Sequence, residues 1–273
     1  MRQMAVAGVA VCVGLFVGSF FVSGNGGAYF NLVAFTVVFS GTLGATLLSF
    51  PLPRLHRALM TVRDIFSQQK TTREELKDQL VDLSVRSACQ GSACYEDIER
   101  DEQVDAGLRH TVSFLADNDS LQEIQEIMGN EVNAYSFERK QNERVFRRMA
   151  SLAPAFGIAG SVIGLIGMLM GLGDTELILQ QIPIALVSTL YGIVFSNFVL
   201  TPMAESIASD TSEELLKQRM IFEAVKAVLN ETHPYKLTRR LASFFPHKDS
   251  QDDMQQVREK RMGYVKLSQE TRG

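Results

Sequence analysis

Charge is missing from two long stretches of this chain. Residues 5–53 contain no Asp, Glu, Lys or Arg, and residues 151–203 contain only Asp174 and Glu176. A soluble helical domain interleaves charge with its apolar stripe. Blocks of this length exclude such a fold there and read as bilayer spans, which take about 20 apolar residues each. Whole-chain averages hide the pattern, because 21% of the 273 residues are charged and they crowd into the remaining segments. Cysteine is scarce too. Cys12 lies in an apolar run, and Cys89 and Cys94 have only the solitary His110 nearby, so no metal site is expected. These thiols read as reduced cytosolic ones, with a redox pair as the other reading. Basic residues do not gather with aromatics, which argues against nucleic acid as a partner. There is no P-loop, and the four His residues are scattered outside the spans. Neither ATP hydrolysis nor a Ser/His/Asp arrangement is expected, no cofactor is implied, and the chain does not read as an enzyme.

What is present is an all-α pattern with four transmembrane helices in two hairpins. The first span covers about residues 4–22, followed by the link Ser-Gly-Asn-Gly-Gly at 23–27. A cleaved signal peptide competes here, but the run is longer than a usual signal core and a second span follows at once. That second span covers about residues 29–52 and ends at Pro51 and Pro53, with Arg54, Arg57 and Arg63 just beyond. The positive-inside rule puts this end, and therefore both termini of the hairpin, in the cytoplasm. The third and fourth spans cover about residues 152–172 and 182–202, joined by a short polar link at 173–181.

The intervening segment, 54–150, reads as a cytoplasmic helical domain. Its clearest helices are expected at 74–87 and 121–148, with an acidic stretch at 95–105 between them. The basic cluster Arg139, Lys140, Arg144, Arg147 and Arg148 marks a second cytoplasmic boundary. After span four, cytoplasmic helices are expected over 204–246, with pieces at 209–229 and 236–245. A polar tail at 247–273 reads as disordered.

Span three carries Gly157, Gly160, Gly164, Gly167 and Gly171, spaced 3, 4, 3, 4. That is a heptad seam without side chains along one helix face. It fits two roles, the wall of a narrow passage or tight packing against span four. Polar residues in spans three and four are few and mild, among them Ser161, Thr189, Ser196 and Asn197. No ionisable group lies in the hydrocarbon zone of any span, whereas ion pathways ordinarily need an intramembrane carboxylate. If H+ or Na+ crosses here, a partner supplies the carboxylate, and Ser161 and Thr189 offer hydroxyl oxygens along the route. The alternative is hydroxyls simply bonded to backbone. Pro154 opens span three and Pro202 closes span four, either as helix punctuation or as a hinge at the inner mouth.

These residues resemble a known family. Gly41-Thr-Leu-Gly-Ala-Thr-Leu-Leu-Ser-Phe-Pro-Leu52, Ala153-Pro-Ala-Phe-Gly-Ile-Ala-Gly-Ser-Val-Ile-Gly-Leu-Ile166 and Ala185-Leu-Val-Ser-Thr-Leu-Tyr-Gly192 are similar to spans two, three and four of flagellar stator A-subunits. Those subunits form the MotA/PomA branch of the MotA/TolQ/ExbB channel family. His233, Pro234 and the following short helix are similar to their C-terminal segment. The resemblance implies an inner-membrane homopentamer around a dimer of a B-type subunit, whose single membrane helix bears an Asp. It implies that H+ or Na+ flow turns the assembly against a rotor switch-complex protein in the cytoplasm. Pro154 and Pro202 match the family's functional prolines. Ser161 stands where Na+-type members carry Thr, and Thr189 matches the second hydroxyl. Arg86, Gly91 and Glu96 follow the order of the rotor-contact residues, although the Arg-to-Gly interval is longer here. A TolQ/ExbB-like energiser of another envelope machine, such as outer-membrane transport or gliding, is the alternative. Within the bundle, the second hairpin is expected to face the partner and the ion, and the first to face lipid.

Overall fold

The computed structural model describes residues 14–15, 18, 29–67, 70–117 and 119–245. The expected first span at 4–22 lies almost wholly outside these residues, and the tail at 247–273 lies wholly outside. All regular structure among the described residues is helical. Nine α-helices are named here in chain order: α1 Leu32–Ser49, α2 Leu52–Ser67, α3 Arg73–Gln90, α4 Ala93–Arg100, α5 Ala106–Ala116, α6 Leu121–Met170, α7 Thr175–Phe195, α8 Thr201–Leu229 and α9 Pro234–Ala242. A π-turn, Ser196–Leu200, joins α7 to α8. Among the described residues, three helices are long and apolar enough to cross a membrane: Leu32–Ser49, Leu121–Met170 and the continuous Thr175–Leu229.

The chain divides into two compact units, each made of two chain segments. One comprises residues 1–63 and 141–207, the other 64–140 and 208–273. In the first, α1 starts at Asn31, whose side chain accepts from Ala34 N at 3.0 Å. Its buried residues are Ala34, Val38, Thr42 and Thr46, one stripe at a spacing of four. Thr42 and Thr46 donate back to Val38 O and Thr42 O, each at 2.6 Å, so their hydroxyls are satisfied within the helix. The stripe side is small, while Leu48, at 92% exposure, points outward as bare hydrocarbon. Tyr191 ties α1 to α7, its hydroxyl donating to Tyr29 O at 2.5 Å and accepting from Asn31 N at 3.2 Å. Phe39 packs on Phe195 with ring centroids 4.4 Å apart.

The second unit is built as a water-soluble domain. Leu76, Leu80, Leu108, Ile221, Leu237 and Leu241 are among the side chains that form its core. Its helix starts are capped by charge and hydroxyl. Thr72 and Glu75 form a reciprocal capping box on α3. Ser120 and Glu123 do the same for α6, and these Ser120 bonds hold the Glu123 carboxyl below its usual range. Asp210 on α8 gathers Lys70, at 2.8 Å, and Arg139.

Three expectations change. Residues 152–172 are not a separate helix beginning at Pro154, because α6 runs unbroken through that proline. The polar link is also shorter than 173–181. Asp174 caps Glu176 N at 2.9 Å and Leu177 N at 3.3 Å, so helix resumes at Thr175 and the turn is confined to the glycine-rich residues before it. Gly173 takes φ 109 there, a conformation that favours glycine. The acidic stretch at 95–105, where no individual helix was delimited within the expected helical domain, takes in most of α4, and α5 follows it.

Candidate functional site

The α6–α7 pair is held together by what its glycines lack. A Cβ on Gly157 would stand 2.9 Å from Ser188 O, and one on Gly164 would stand 2.7 Å from Ala185 N. At Gly160 it would meet the Ser188 side chain at 2.6 Å, at Gly167 Gln181 Oε1 at 2.7 Å, and at Gly171 Leu177 Cβ at 3.1 Å. All five seam glycines therefore face α7 of the same chain. Gly192 answers from α7, since a Cβ there would lie 2.5 Å from Ala153 O and 3.0 Å from Pro154 Cα. Sequence reasoning quoted Gly192 within a motif without giving it this role. The signal was present, because Gly192 lies in the same run as Ser188 and Thr189.

Between these backbones sits a small hydroxyl cluster. Ser161 Oγ and Thr189 Oγ1 are 2.5 Å apart. Ser161 also bonds to Ala185 O and reaches Gly157 O at 3.3 Å, and Thr189 reaches Gly157 O at 3.5 Å. Each hydroxyl has one proton. A consistent arrangement is Thr189 donating to Ser161 and Ser161 donating to Ala185 O, which leaves lone pairs on both oxygens. Such a cluster can offer oxygens to a cation or hand on a hydrogen bond, and no acid or base belongs to it. Of the two readings of these hydroxyls, bonding to backbone is the one seen in this arrangement.

The remaining candidates sit elsewhere. Pro154 is inside α6, and Pro202 is exposed just after the π-turn, in the first turn of α8. In the second unit, Arg86 on α3 bonds Asp82 at 2.7 Å and is one-third exposed, while Glu96 on α4 is 68% exposed beside Arg100. Gly91 turns the chain between them with φ 67. Behind that turn Cys94 is buried, and burial pushes its thiol up to about 11.

These features define a class: an all-helical membrane protein whose long apolar helices pack through a glycine seam around half-buried hydroxyls. The profile of the MotA/TolQ/ExbB proton channel family matches residues 96–220. Motility protein A of Treponema phagedenis is 30% identical over 236 residues, covering 85% of this chain and 89% of that protein. Two solved structures share the fold. The C. jejuni MotAB structure has a TM-score of 0.81 at 22% identity and covers 91% of this chain and 98% of that one. The flagellar MotAB stator complex of Bacillus subtilis has a TM-score of 0.78 at 24% identity and covers 93% and 99%. The chain belongs to the MotA/TolQ/ExbB proton channel family.

Proposed function

We propose that this chain is the A-subunit of an ion-driven stator that converts H+ or Na+ flow into torque on the flagellar rotor. The observation that carries this reading is the α6–α7 pair, a glycine-sealed seam with a Ser161–Thr189 hydroxyl cluster and no carboxylate of its own. A channel wall of this kind lacks the ionisable group that ion transfer needs. A second subunit has to bring it, on a single membrane helix bearing an Asp. The reading is supported by the motility role named for the Treponema relative and by the stator assembly named for the B. subtilis structure.

In this reading four helices cross the bacterial inner membrane as two hairpins, with both termini in the cytoplasm. The spans are about residues 4–22, 29–52, 152–172 and 182–202, and residues 54–150 and 204–246 are cytoplasmic. Five copies surround a dimer of the B-type subunit. Ser161 and Thr189 line the ion route, and Pro154 and Pro202 flank its inner mouth. Glu96 is the more accessible rotor contact, while Arg86 exchanges Asp82 for a rotor carboxylate.

Deleting the gene tests the assignment. The expected result is a cell that builds flagella and does not swim, restored by the wild-type chain and not by a Pro154→Ala chain. Normal swimming of the deletion strain overturns the reading. Replacing Na+ with K+ then identifies the ion, with arrest assigning Na+ and continued swimming assigning H+.

A further inference from the structure

Pro154 has no N–H, so the Ala150 carbonyl four residues earlier loses the bond a regular helix would give it. At the edge of a bilayer an unsatisfied carbonyl is costly, and neighbouring Ser or Thr side chains are among the groups that relieve it. Ser196 does this here. Its Oγ donates to Ala150 O at 2.7 Å, and the residue is 6% exposed. Ser196 is also the first residue of the π-turn Ser196–Leu200, directly ahead of Pro202. π-turns are local departures from α geometry that concentrate at functional positions. One turn earlier, Gly192 lets the α7 backbone touch Ala153 and Pro154. The irregular point of one helix is thus capped by the residue that opens the irregular point of the other.

Ser188, two turns before Ser196, shows the ordinary alternative. Its hydroxyl folds back on its own helix, donating to Ile184 O at 2.6 Å. The same backward seat exists for Ser196 at Gly192 O, and taking it would release Ala150.

We propose that Ser196 is a positioning residue of the torque-generating movement. Its hydroxyl replaces the missing Pro154 N–H, so the Pro154 site in α6 and the π-turn before Pro202 move as one coupled hinge. The link to torque rests on the stator reading above, but the coupling itself does not.

The test is a double-mutant cycle on the purified complex of the full chain with its B-type partner, unfolded by heat and followed by circular dichroism. Ser196→Ala is expected to lower the midpoint by about 2–4 °C, and Ser196→Thr, which keeps the hydroxyl, to leave it unchanged. In a Pro154→Ala background residue 154 again donates to Ala150 O, so adding Ser196→Ala is expected to produce no further shift. In cells, Ser196→Ala is expected to lose swimming speed at normal complex levels, and Ser196→Thr to retain it. Equal shifts from Ser196→Ala in both backgrounds, or none in either, overturn the coupling. A coupled cycle with unchanged swimming overturns the positioning role. If deletion of the gene leaves swimming intact, the stator reading fails, and the unfolding cycle still decides the coupling.

Discussion

Gly164 and Gly129 lie on the same helix, α6, in different units. A Cβ on Gly164 would stand 2.7 Å from a backbone nitrogen of α7, whereas around Gly129 nothing lies within 4 Å. The unit containing residues 1–63 and 141–207 buries small and hydroxylated groups such as Ala34, Thr42, Ala185 and Ser188, and it turns large apolar side chains outward. The other unit buries Leu, Ile and Met and decorates its surface with ion pairs and caps. The difference follows from the surroundings. In water, removing apolar area stabilises by about 25 cal/mol per Å². Lipid tails are as apolar as leucine, so burying leucine there gains nothing and close backbone approach takes over.

The comparison breaks most readily at Leu80, fully buried in the water-type core. Leu80→Ala is expected to destabilise by about 2–5 kcal/mol, read as a lowered denaturation midpoint. If the loss is under 1 kcal/mol, that unit is not held by its core. At the next level, Gly164→Ala is expected to cost about 1–3 kcal/mol, because the atoms it meets are α7 backbone and cannot step aside. Gly129→Ala, with open space and a better helix former, is expected to stabilise by about 0.5–1 kcal/mol. Equal effects at the two glycines would erase the distinction between the units.

The smallest effect concerns Cys94, which burial raises from 9.0 to about 11, with its own backbone bond and Arg86 pulling the other way. A folded state that holds this proton more tightly keeps its full contribution below pH 9 and loses it as pH rises from there through about 11. Wild-type unfolding midpoints are expected to fall more steeply across that window than those of Cys94→Ala. Parallel curves would show that the thiol is not sheltered.

Much of this was legible in the chain. The glycine spacing of span three needs only the helical period to be recognised as one face, and Ser161 and Thr189 stand out because so little else there is polar. Helix continuity was less legible. Pro154 reads as a helix start by local rules, yet it sits within α6, because a freed carbonyl can be met from a neighbouring helix. The donor is Ser196, 46 residues away in sequence, and no window along the chain contains both. Helices α4 and α5 were missed for a different reason. Both are short, with 8 and 11 residues, and in α4 the acidic Glu96, Asp97 and Glu99 mask its few apolar positions.

By itself, the sequence determined where the apolar runs lie, that residues 5–53 contain no carboxylate and residues 151–203 only Asp174 and Glu176, and that one helix face is bare glycine. Those properties follow from composition and period, which are local. Tertiary structure alone decided that the glycine face meets α7 of the same chain, that Ser161 and Thr189 touch, and that Ser196 completes the backbone that Pro154 leaves open. Each of these depends on the crossing and register of two helices. Register is set by which backbones can approach closely, and that is a property of the packed pair and not of either strip of sequence.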